Sequence, residues 1–196
     1  LTTAPFYVLD IENPEAPTIL GELEMPGFST YLHPFNDNLV FGLGRDGARG
    51  SWSGALKMAL FDVTTPSSPV IRDQVLIGGT YTHSTALHNP RALSFLAKEN
   101  GTRWQVGLPV REYNDNYEWQ RDAFYLLDIT LDEHTSGAGM SLHGALVGSD
   151  NTAFTEPQSS HYTYYDRGLF KGDFIHYIYN GGLISEEWGA ASLLID

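Results

Sequence analysis

The 196-residue chain contains no cysteine, which rules out disulfides, thiol nucleophiles and thiolate metal sites. It also lacks any apolar run approaching the roughly 20 residues with which a helix spans a bilayer. Basic residues are scarce: 11 Lys and Arg stand against 24 Asp and Glu, a formal charge of −13. Such a surface repels phosphate backbones and anionic lipid, so neither nucleic acid nor direct membrane insertion is expected. Catalytic signatures are missing as well. Gly50-Ser51-Trp52-Ser53-Gly54 puts tryptophan where a nucleophile elbow needs serine, and no Gly-Lys-(Ser/Thr) follows the Gly-rich stretch from Arg45 to Gly54. The seven histidines form no His-Glu-x-x-His pair.

What the chain does have is repetition. Phe6-Tyr7-Val8-Leu9-Asp10-Ile11-Glu12-Asn13-Pro14 runs on to Pro17, and Met58-Ala59-Leu60-Phe61-Asp62-Val63-Thr64-Thr65-Pro66 runs on to Pro69 in the same pattern. Weaker copies occur at Phe124–Thr130, around Asp128, and at Ser192–Asp196. The four aspartates stand 52, 66 and 68 positions apart, a period suited to stacked four-stranded sheets. Each aspartate can accept hydrogen bonds from backbone N–H groups of its own turn, and the prolines sit where a missing N–H costs nothing.

Calling each Asp-bearing run strand c, a Pro-bounded strand d follows at Thr18–Met25 and again at Val70–Ile77. Strands a and b read as Ser29–Pro34 and Leu39–Gly44, then Arg91–Leu96 and Trp104–Val110, then Gly168–Phe170 and Phe174–Tyr179. The b runs are nearly continuous apolar stretches, as strands covered on both faces should be. The expected fold is all-β: a β-propeller segment of about three four-stranded antiparallel blades, cut in mid-blade at both ends. Its approximate divisions are 1–28 (partial), 29–80, 81–150 and 151–196 (partial). So few blades leave apolar faces uncovered, so the chain reads as a fragment of a longer polypeptide. The expected partner is the remainder of the parent propeller or another protein.

Several of these pieces also carry a family likeness. Phe6–Pro17, Gly21-Glu22-Leu23, the run from Pro26 to Pro34, Leu60–Pro69 and Arg167–Phe174 resemble the C-terminal half of secreted bacterial and archaeal proteins with a β-propeller distantly related to WD40 repeats. The resemblance implies an exported protein, extracellular or at the cell surface or periplasm. It supplies no reaction. Where such proteins carry Asp-His-Lys-Ala, this chain has Asn89-Pro90-Arg91-Ala92.

Candidate binding residues follow from placement. His83 and His88 flank a d-to-a connection, and His33 and His161 lie near strand a, so all four are expected on one rim. Trp52 and Trp119 fall in expected loops and suit carbohydrate stacking, whereas Trp104 reads as core. Asn114, Asp115, Asn116 and Glu118, in an expected b–c excursion from Arg111 to Asp122, offer hard oxygen ligands suited to calcium. Their spacing is not that of an EF-hand, and Asn-Asp-Asn equally suits a solvated turn. The function expected is a non-catalytic extracellular module for binding or assembly. The alternative is a metal-dependent, lactonase-like hydrolase with His and acidic side chains at the propeller axis.

Overall fold

The computed structural model describes residues 5–47, 54–132, 137–151 and 165–191. Strands β1 (Phe6–Asp10) and β2 (Thr18–Leu23) form a first sheet. Strands β3 (Phe28–Pro34), β4 (Leu39–Arg45), β5 (Leu56–Asp62) and β6 (Val70–Ile77) form a second. The third contains β7 (Ser94–Lys98), β8 (Arg103–Tyr113), β9 (Trp119–Thr130) and β10 (Gly139–Asp150), and the last β11 (Arg167–Lys171), β12 (Phe174–Tyr179) and β13 (Gly182–Glu187). Every strand pairs antiparallel with its sequence neighbour, giving successive meanders, which are propeller blades.

The two strong sequence copies fold alike down to single hydrogen bonds. Asp10 Oδ1 accepts from the Glu12 N–H and Asp62 Oδ1 from the Thr64 N–H, both at 2.8 Å. Three residues past each aspartate, a carbonyl closes the next turn: Asn13 O accepts from Ala16, Thr65 O from Ser68. Asp10 faces Thr18 and Asp62 faces Val70, and each strand carries a register shift just before its aspartate. The shared Pro and Asx chemistry therefore dictates a shared hairpin. Asp62 is in addition buried and takes both Nε and Nη2 of Arg72, at 2.8 and 2.6 Å. The third copy differs. Asp128 lies inside β9, held by Arg103 of β8, while the strand runs on to Thr130.

Packing follows the alternation of side chains along each strand. Leu56, Met58 and Leu60 of β5 meet Tyr125, Leu127 and Ile129 of β9 in one core between the second and third sheets. On the opposite face of β5, Ala59 and Phe61 pack on Phe6 and Met25, with Phe6 stacked on Phe61 at 4.5 Å. Phe124 and Leu126 of β9 point the other way, onto Ile175 and Tyr177 of β12. That last interface is close: a Cβ at Gly168 would lie 2.1 Å from the Phe124 ring, so only glycine lets β11 approach.

Strands β5 and β9 thus have both faces covered, and the two end sheets do not. Tyr7, Leu9 and Ile19 are exposed on the first sheet, and Leu169, Phe174, Ile178 and Leu183 on the last. In register, Leu169 pairs with His176, and Ile178 with Leu183, so these residues share one face.

Three expectations are corrected. Strand a of the third sheet begins at Ser94 rather than Arg91, because Pro90–Ala92 forms a 3-10 turn capped by Asn89 Oδ1. The third strand of the last sheet is Gly182–Glu187, entered through Asn180 and Gly181, both at positive φ, as a tight hairpin demands. The copy at Ser192–Asp196 lies outside the described residues. Finally, Arg111–Asp122 is no excursion. Arg111 pairs with Asp122 and Glu112 with Arg121, complementary charges in register that extend the hairpin to a short turn after Tyr113.

Candidate functional site

Among the described residues, a polar constellation lies where the connection from β6 to β7 crosses the ends of β8 and β9. Pro109 of β8 has no N–H to donate, and its position fits, because the connection rather than a full strand flanks it there. Ser84 Oγ donates to the Pro109 carbonyl at 2.6 Å and also caps a short 3-10 turn at Thr85–Leu87. His83 and Arg111 exchange two backbone hydrogen bonds, at 2.9 and 2.8 Å, so the connection acts as a strand residue beside β8. These bonds fix His83, and the following turn brings His88 beside it, with ring centroids 5.6 Å apart.

The charged groups acting on His83 are Arg45 and Arg111, the latter paired with the Asp122 carboxylate. Burial comes first, then His88, Arg45 and Arg111; together they lower His83 to about 4, so its ring is neutral near pH 7. Arg45 is buried and donates to the Gly54 carbonyl at 3.0 Å. Buried Lys57 donates to the Pro26 carbonyl at 2.8 Å. Arg111 forks onto fully buried Asp122, with Nε and Nη2 each at 2.8 Å, which holds the guanidinium charged. Asp122 also accepts from the Tyr179 hydroxyl at 3.3 Å, tying the last sheet to the third. Tyr177 donates to buried Asp166 at 3.2 Å, and burial pushes the phenol upward so that it remains protonated.

The expectation of one shared rim fails for His33. It sits on β3 opposite Phe41, near the β3–β4 turn, where its ring stacks on Phe95 at 4.1 Å. Trp104 lies beside it, bonded through Nε1 to the Gly101 carbonyl. That is the far end of the strands from Arg45 and Arg111, and burial lowers the His33 pKa there. The apolar partners make His33 a packing residue between neighbouring sheets. His161 and Trp52 lie outside the described residues.

Trp119 is the first residue of β9 rather than a loop residue, half-buried, with Nε1 3.5 Å from Asp122 Oδ1. Asn114 closes the β8–β9 turn: its Oδ1 accepts from the Asn116 and Glu118 N–H groups at 2.9 and 3.0 Å, and its Nδ2 donates to Glu118 Oε2 at 2.8 Å. Those contacts are the bonding of a turn, and they engage atoms that a calcium ion would use. Asp115 and Asn116 are exposed on the same turn. Among the described residues, no three His, Asp or Glu side chains gather around one point able to hold a metal ion.

Two residues of this region carry no signal in the sequence. Tyr81 and Tyr117 are exposed, both adopt positive φ (74° and 67°), and their rings lie 5.2 Å apart. Their placement depends on long-range contacts between two turns, which periodicity does not report.

Comparison with known proteins agrees with the meanders. The family model described as Beta propeller domain matches residues 1–190. The chain belongs to this β-propeller family. An uncharacterised protein of Archaeoglobus fulgidus is 38% identical over 106 residues, covering 50% of this chain and 16% of that protein. An uncharacterised protein of Methanocaldococcus jannaschii is 45% identical over 67 residues, covering 34% of this chain and 10% of its own length. The chain thus aligns with a small part of each relative.

Proposed function

We propose that this β-propeller segment is a non-catalytic, extracellular module for binding and assembly, whose end sheets dock further blades of a longer polypeptide. One observation carries the assembly reading. Side chains at alternating positions of the end sheets are exposed, whereas their counterparts in β5 and β9 are fully buried. Burying a Leu- or Phe-sized side chain is worth about 1.5–3 kcal/mol, so Leu169, Phe174, Ile178 and Leu183 together give a strong drive to acquire a neighbour. The greater length of the relatives supports a partner within the same polypeptide. Export and the distant WD40 relation rest on the resemblance of the Pro26–Pro34 run and the Asp-bearing hairpins.

Native mass spectrometry of the segment tests this. Deprived of neighbouring blades, the wild-type segment should associate through its apolar end faces. Changing Leu9 and Ile19 of the first sheet and Leu169, Phe174 and Leu183 of the last to Lys should leave a folded monomer. A wild-type segment that stays monomeric would contradict the assembly reading.

A further inference from the structure

Two neighbouring turns each put a tyrosine where glycine or asparagine is favoured. In the connection, the Thr82 N–H returns to the Gly79 carbonyl at 3.1 Å, and Tyr81 occupies the positive-φ position of that turn. In the β8–β9 turn, the Tyr117 N–H returns to the Asn114 carbonyl at 3.1 Å, and Tyr117 has positive φ itself. The turns are fastened together at Tyr113, whose carbonyl accepts from the Gly79 N–H at 2.6 Å and from Thr82 Oγ1 at 3.0 Å, and whose N–H donates back to Thr82 Oγ1 at 3.0 Å.

Left-handed backbone is sterically disfavoured at a bulky residue, because its Cβ crowds the following carbonyl. Burial offsets little of it here, since Tyr81 and Tyr117 are 65% and 56% exposed. Folding stability alone therefore favours glycine at both positions, and the chain keeps two touching aromatic rings in solvent instead. Asp115, Asn116 and Glu118 line the same turn with exposed acceptors and an amide. Exposed aromatic faces that stack on C–H groups, beside carboxylate and amide side chains that bond hydroxyls, suit a polyhydroxylated ligand. Local acidity and the charge of −13 disfavour anionic glycans.

We propose that Tyr81 and Tyr117 form a binding site for neutral carbohydrate, with Asn116 and Glu118 bonding the hydroxyl groups. The probes are cellohexaose, mannohexaose and chitohexaose, titrated into the segment with calorimetry and intrinsic tyrosine fluorescence as readouts. At least one should bind, and Tyr81→Ala or Tyr117→Ala should each weaken it about tenfold. Tyr81→Gly and Tyr117→Gly relieve the backbone, so these variants should melt no lower than the wild type while losing the sugar. No binding of any of the three sugars would overturn the proposal, as would unchanged affinity in the double glycine variant. Binding of tetramethylammonium or a proline-rich peptide at the pair, without sugar binding, would reassign the site and equally overturn it.

Discussion

At the residue scale, His83 is the most strongly perturbed histidine among the described residues. Its ring is partly buried, and His88, Arg45 and Arg111 all disfavour its protonation. The native ring binds a proton less readily than the unfolded one, whose pKa is near 6.5. The stabilisation from neutral His83 is therefore fully present above about 6.5 and is lost as pH falls towards about 4. Thermal melts between those values should show stability falling with acid, and His83→Gln should flatten that slope. An unchanged slope would mean other groups carry it. The histidine was legible as a candidate because it borders the β6–β7 connection. Its surroundings were not, since Arg45 and Arg111 come from strands distant in sequence. His33 shows the converse, with similar local sequence context but an environment set by Phe95 and Trp104 across the sheet interface.

At the scale of elements, the c–d hairpin is the unit that was best legible. Asp, two prolines and an apolar run specify it locally, so Asp10 and Asp62 recur with the same bonds. Asp128 shows the limit of that signal: Arg103 binds it from β8, and the strand continues past it. Strand β13 was missed because Gly182–Glu187 has little apolar content, although Asn180-Gly181 marks its hairpin. The hairpins differ in what their aspartates hold. Asp10→Ala removes one exposed turn bond and should cost about 0.5–1 kcal/mol. Asp62→Ala also strips a buried acceptor from Arg72 and should cost about 2–3 kcal/mol. Urea denaturation of both variants checks the order, and equal losses would show that the Arg72 contact contributes nothing.

For the whole molecule, three cores among the described residues couple the blades, together with polar links such as Tyr179 to Asp122. The sequence made the repeat and the uncovered ends legible because both follow from alternation and period. The rim was not, because it is assembled from a connection and a hairpin that meet only after folding. Covered and uncovered sheets should also differ in dynamics, since opening is easiest where apolar contacts and strand partners are fewest. Hydrogen exchange measured by mass spectrometry, on the segment alone and within a longer polypeptide that supplies adjoining blades, separates sheets that need a neighbour from sheets already covered. Fast exchange is expected in β1 and β13 of the isolated segment, slow exchange in β5 and β9, and protection of β1 and β13 once the neighbours are present. Amides of β1 and β13 as slow in the isolated segment as those of β5, with no gain in the longer chain, would contradict it.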